Sequence, residues 1–234
     1  NNRFRFEYSK FIVKRQQNWQ VDAQIDQSSN NISTAIHYDE TSGVRTTQPK
    51  NINGNWSART DFTFTTGFGA KKAFRLNSST TGTYDNSVGY ISVDKSVSSQ
   101  KNTTKTSGIF QRLSLRYHND FIEAKIGASL RYRHTDNELR PQSNMDTYNY
   151  TYSASAKFIL PWKMTIENSL RMSSRRGYSN KNMNTDELIW NATASQNFFK
   201  GSPLIIRLQL YDILRNRSNI VRTINAQSRV DSEN

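Results

Sequence analysis

Apolar and polar residues alternate with a period of two along most of this chain, and the roughly 3.6-residue spacing of an amphipathic helix is nowhere sustained. At 120–134 the sequence is DFIEAKIGASLRYRH. Every second residue from Ile122 is apolar or aromatic (Ala124, Ile126, Ala128, Leu130, Tyr132), while Glu123, Lys125, Gly127, Ser129, Arg131 and Arg133 fall between. A strand sends successive side chains to opposite faces, so this segment has one apolar and one polar face. The same pattern predicts clear strands at 54–67, 74–86, 107–118, 121–133, 147–160, 163–175, 186–199 and 204–214, with weaker ones at 3–13, 18–26 and 31–39. They run to about 10–14 residues against a usual ~5–6.

The connections alternate between tight and long. Gly69–Lys72, Asn119–Asp120, Pro161–Trp162 and Lys200–Pro203 carry the residues that tight turns favour. Between them lie polar connections at 40–53, 87–106, 134–146 and 176–185, and a polar tail from 215. Tight turns at one end and long loops at the other predict an up-and-down meander.

Such a meander is either half of a soluble sandwich, with its apolar face against a second sheet, or the wall of a membrane barrel, with that face toward lipid. Three details favour the barrel. Aromatic residues gather near both strand ends, as Tyr148–Tyr152 and Phe158–Trp162 show, which fits interfacial girdles. Strands of about ten residues match the reach of a tilted membrane strand. The segregation of turns by length is not required of Greek-key sandwiches. The expected fold is therefore all-β, an antiparallel up-and-down transmembrane β-barrel, present as a partial barrel of about 11 long strands.

Composition sharpens this picture. Apolar residues are 34% of the chain and aromatics 12%, too many rings for disorder. The formal charge is +13, which raises nucleic acid, anionic head groups or anionic solutes as partners. There is no cysteine, which removes thiolate metal sites and thiol nucleophiles. No run approaches the ~18 apolar residues of a membrane helix, and the opening NNRFRFEYSK does not resemble a signal peptide. The chain opens inside a strand pattern, so residues 1–234 are expected to be a fragment of a single barrel domain.

On a barrel, Arg112, Arg116, Glu123, Lys125, Arg131, Arg133, Glu167, Arg171 and Arg207 are the lumen-facing candidates, and their excess of cations biases the interior toward anions. Ile122, Ile126, Leu130, Tyr148, Tyr152, Phe158 and Leu208 are the lipid-facing candidates. In a soluble sheet the same cations would form an exposed basic face. The rings fall mostly on the opposite face, which argues against single-stranded nucleic acid as a partner. His37, His118 and His134 have no metal-ligand spacing, and no histidine neighbours Ser169 and Ser173 beside Glu167. No catalytic residue, metal or cofactor is expected.

Two stretches, GVRTTQPKNINGNW at 43–56 and LIWNATASQNFFKGSPLIIRLQLYDILRNRSNIVRTINAQSRVDSEN at 188–234, resemble TonB-dependent outer-membrane receptors of the Bacteroidetes outer-membrane β-barrel type. In the second, a tight turn leads to a strand ending in a YDIL phrase and then a polar loop, similar to the penultimate hairpin of that family. The resemblance implies a barrel of about 22 strands with an N-terminal plug, and a last strand ending in an aromatic residue. On this resemblance, the plug and the last strand are expected to lie outside these 234 residues. It further implies a bacterial outer-membrane location, uptake of a bulky nutrient, and contact with outer-membrane lipid and lipopolysaccharide. The remaining barrel and plug, a TonB-type energy transducer and a surface lipoprotein are the implied protein partners. The alternative is a non-transporting outer-membrane barrel, or a soluble β-sheet protein that binds through its basic face.

Overall fold

The computed structural model describes residues 1–92, 97–179, 181–198, 204–217, 220–224 and 229–233. In chain order the strands are β1 (Asn2–Ile12), β2 (Gln17–Ser28), β3 (Asn31–Tyr38), β4 (Arg45–Ile52), β5 (Asn55–Phe68), β6 (Phe74–Ile91) and β7 (Gln100–His118). They continue with β8 (Ile122–Asn137), β9 (Met145–Ile159), β10 (Met164–Arg176), β11 (Asp186–Asn197), β12 (Ile205–Leu210), β13 (Ile220–Ile224) and β14 (Arg229–Glu233). Ten of them form one antiparallel sheet in the order β1-β2-β5-β6-β7-β8-β9-β10-β11-β12, a meander that does not close into a barrel. β3 with β4, and β13 with β14, are separate hairpins.

The register keeps the apolar rows continuous from strand to strand. One row runs Lys10, Trp19, Phe64, Ser78, Leu113, Ala128, Tyr152, Met172, Leu188. A slip of one residue at any pair would send the next strand's apolar set to the other face, so the pattern itself fixes the register. This row also climbs. It leaves β1 two residues from the turn-side end at Ile12 and reaches β11 nine residues from the turn-side end at Asn197. That is nearly one residue of stagger per strand, and with ~3.4 Å per residue and ~4.8 Å between strands it tilts the strands by roughly 30–35° from the axis normal to the tight-turn rim.

The tight turns lie at one rim. Asn119 Oδ1 accepts the N–H groups of Phe121 (2.9 Å) and Ile122 (2.7 Å), an Asx turn that starts β8. Pro161 presets the next turn, closed by Lys163 N–H to Leu160 O at 3.0 Å. The turn expected at Lys200–Pro203 lies outside the described residues, and Phe198 N–H bonds Leu204 O on either side of it.

The long-loop end departs from the sequence reading. The expected connection at 87–106 is largely strand: β6 runs to Ile91 and β7 starts at Gln100. These extensions lack an apolar face because they rise above the apolar band, yet their ladder remains complete. The expected loop at 40–53 contains β4, hidden by Pro49, which an edge strand tolerates and a central one does not. The weaker strand at 31–39 pairs with β4 alone, so the sheet has ten strands rather than about 11. The strand expected to reach 214 leaves the ladder after Leu210, with Asp212 at φ 45°. The polar tail from 215 holds the β13–β14 hairpin.

Packing is concentrated at this end. The buried apolar side chains Ala35, Ile52, Val88, Ile91, Met145 and Met183 lie there, with buried Asn102, Thr104, Thr135 and Asn137. The β3–β4 hairpin folds against β6 and the residues after it: Tyr90 N–H donates to Ser33 Oγ, and Ile36 N–H to Ser99 Oγ. Asn137 bonds Thr104 Oγ1 through Nδ2 at 2.9 Å and accepts the Arg140 N–H at 2.9 Å.

Candidate functional site

The ten-stranded sheet presents two unlike surfaces. On the apolar side, Ile122, Ile126, Leu130, Tyr148, Tyr152, Phe158 and Leu208 all fall on one face by register. They join Phe4, Phe6, Ile25, Ile109, Leu113, Leu170 and Ile206, which stand exposed. Among the described residues no second layer covers this face. Ile126 remains 58% and Leu208 61% exposed, values opposite to those of a sandwich core.

Aromatic rings bound the face above and below. Near the tight turns, Trp19 meets Phe64 at 4.4 Å between centroids, and Phe74 lies between Phe68 (5.4 Å) and Tyr117 (4.9 Å). Toward the loops, Trp56 stacks on Tyr84 at 4.8 Å and Tyr132 packs on Tyr148 at 5.0 Å. On β9 the two belts are marked by Tyr148 and Phe158, about ten residue steps apart, or roughly 27 Å of height at the sheet's tilt.

The polar side carries Arg112, Arg116, Glu123, Lys125, Arg131, Arg133, Glu167, Arg171 and Arg207 on one face by register, but it does not bring all of them together. Arg116 pairs with Glu123 at 3.7 Å close to the turn rim. Lys157 stands directly across from Glu123 on one side and Glu167 on the other. Arg207 lies across from Ser195 near the β12 edge, apart from the rest. Arg112, Lys125, Arg131 and Arg171 line a cleft of about 560 Å³. Arg131 and Arg133 line a second of about 700 Å³ toward the loops, with Arg59, Asp61 and Tyr178.

Charge is unevenly distributed over this face. On β1, β2 and β5, carboxylates meet cations closely: Arg3 to Asp26 at 2.5 Å, Arg5 to Glu7 at 2.5 Å, and Arg59 to Asp61 at 2.6 Å. On β7 to β10 among the described residues, Arg112, Lys125, Arg131 and Arg171 have no carboxylate within ion-pair distance.

One residue of the cleft, Phe110, is not singled out by the sequence pattern, whereas Arg175 is among the cations that pattern places on the polar face. Phe110 is an aromatic side chain on the polar face, with the guanidinium carbons of Arg112 and Arg131 at 5.2 and 4.7 Å from its ring centroid. Its parity with Arg112 is visible in the sequence. Arg175 faces both cavities, and its ion pair with Glu187 at 3.6 Å depends on the β10–β11 register.

The histidines are dispersed. His134 pairs with Asp146 at 2.9 Å on the apolar side near the loop rim, and His37 lies 3.3 Å from Ser98 Oγ on the β3–β4 hairpin. No protein-family model, curated protein or solved structure matches this chain.

Proposed function

We propose that this chain is a section of the wall of an outer-membrane transporter barrel of the TonB-dependent receptor type, with its apolar face against lipid and its polar face lining the lumen. The observation that carries the reading is the apolar face itself: it stays in register across ten strands, and among the described residues nothing folds over it. In water a face of this extent would drive association or collapse. In a bilayer it is the surface that the solvent requires, and the backbone groups inside the sheet are already paired.

Three geometric features support it. The stagger gives a tilt near the ~35–45° of outer-membrane barrels. The aromatic belts are separated by about the ~25 Å height of the lipid-facing band. The rims differ, with tight turns at one and long loops packed with the β3–β4 hairpin at the other, which suits periplasmic and external ends. The edges β1 and β12 each have one strand partner, so further wall strands would continue the sheet there. The plug, the energy transducer, a surface lipoprotein and lipopolysaccharide are the partners this function requires, and a bulky nutrient is its cargo.

Fractionation of cells expressing the intact protein tests the reading. The protein should stay with the outer membrane through alkaline carbonate extraction and be released by detergent. Recovery in the aqueous phase without detergent would instead support a soluble protein that binds through its basic face.

A further inference from the structure

The two clefts on the polar face share Phe110, Arg131, Asn149 and Arg175, so they form one continuous depression across β7 to β10. We propose that this depression is a binding groove for a multivalent oxyanion, a solute carrying two or more phosphate, sulfate or carboxylate groups. The proposal rests on the wall reading only in placing the groove in a lumen.

The groove is built to leave its cations available. Arg112 and Arg131 lie over the Phe110 ring. A guanidinium held against an aromatic surface is oriented without using its in-plane N–H donors, which stay free for an oxyanion. Arg175 adds a second signal. Its Nη1 is buried and has no hydrogen-bond acceptor, and the Glu187 carboxylate at 3.6 Å is too distant to be one. A buried donor in this condition is costly, and an oxyanion seated between Arg131 and Arg175 would satisfy it.

The floor between the cations is made of small residues, Ser114, Gly127, Ser129 and Ser153. Gly127 has a packing role here, since a Cβ at that position would come within 3.0 Å of Ser153 Oγ. Small residues give the groove depth, and their hydroxyls add donors. Cavities of about 560 and 700 Å³ in continuity hold far more than one phosphate, which is why the ligand is multivalent. A nucleic-acid strand is disfavoured because Phe110, the aromatic ring shared by the two clefts, is already covered by guanidinium groups.

Calorimetric titration of the intact protein in non-ionic detergent at low ionic strength tests this, with tripolyphosphate, sucrose octasulfate and citrate as multivalent probes and inorganic phosphate as the simple one. At least one multivalent probe should bind once per chain, about tenfold or more tighter than phosphate, and its charge type identifies the oxyanion. The double substitution Arg131→Gln, Arg171→Gln should weaken it about tenfold or more, while Arg3→Gln, on the same face but at the distant β1 edge of the sheet, should leave it unchanged. Should the double variant fail to assemble, Arg131→Lys keeps the charge, removes the planar fork and should itself weaken binding severalfold. Unaltered affinity in whichever of these variants assembles, an equal loss in Arg3→Gln, binding of many probe molecules per chain, or no tighter binding than phosphate each overturns the groove. An aqueous protein that still binds would overturn the wall reading alone, and a membrane protein that does not bind would overturn the groove alone.

Discussion

The sharpest consequence of an outward apolar face concerns Ile126. It sits on β8 between Leu115 and Ala154, about four residues from the tight-turn belt at Ile122 and six from the loop belt at Tyr132. At ~3.4 Å per residue and the sheet's tilt, this places it roughly 11 Å above one belt and 17 Å below the other, close to the midplane. Arginine at the midplane of a lipid-facing strand costs about 2–4 kcal/mol, and near an interface about 0–1 kcal/mol. Ile126→Arg should therefore shift the folding equilibrium in bilayers by about 30-fold to nearly a thousandfold. Tyr132→Arg should have a much smaller effect. Lys125→Gln, one residue away on the opposite face, should be nearly silent for folding.

The assay is reversible urea titration of the intact protein in lipid vesicles, with folding read from heat-dependent electrophoretic mobility. A soluble sheet makes the opposite forecast. Ile126 is 58% exposed, so its replacement by arginine would change stability by about 0.5 kcal/mol or less and improve solubility. An Ile126→Arg protein as stable as the parent, or a Lys125→Gln protein more damaged than Ile126→Arg, would refute the assignment of faces.

Three further outcomes follow from particular residues. The chain has no cysteine, so introduced pairs test the register directly: Ser129→Cys with Thr151→Cys, directly opposite on β8 and β9, should oxidise to a disulfide, while Leu130→Cys with Thr151→Cys, on opposite faces, should not. Gly177 has φ +83°, and a Cβ there would come within 1.9 Å of Asp146 O, so Gly177→Ala should displace the loop after β10 and speed its cleavage by protease while leaving the lower wall intact. In the turn after β3, the Ser42 hydroxyl at 2.6 Å, then the Thr41 N–H at 3.0 Å, hold the Asp39 carboxyl below its ordinary 3.8. A depressed folded value stabilises the turn above the unfolded pKa and ceases to do so as pH falls through the folded one. Amide exchange at Gly43 should accordingly rise below about pH 4, and Ser42→Ala should move the Asp39 titration upward.

The parts legible in the sequence are those governed by a local rule. Period-two alternation places Ile126 and Lys125 on opposite faces whatever surrounds them, and turn chemistry at Asn119 and Pro161 marks where the chain reverses. The rule stops being informative where both faces become polar. Val88 to Ile91 and Gln100 to Lys105 belong to strands, but above the apolar band no face contrasts with the other, so the ladder there rests on hydrogen bonds to neighbours distant in sequence. Pro49 misleads for the opposite reason, because a local rule against proline holds only if the strand has partners on both sides, and β4 has only one.

The groove lies beyond local reading for a further reason. Phe110, Arg131 and Arg175 come from three strands, and whether a cation meets a carboxylate depends on register across each of them. Arg116 finds Glu123 because the β7–β8 ladder seats it across from Lys125, close to that carboxylate, whereas Arg112, four residues earlier on the same face, is set opposite Ser129. The same basic residue type on one strand is thus neutralised at one row and left available at another. The net charge of +13 raises anionic partners only as a class and says nothing of where the cations stand. It is the sequence of cross-strand neighbours, row by row, that concentrates the unpaired cations around Gly127 and Phe110 rather than dispersing them over the whole sheet.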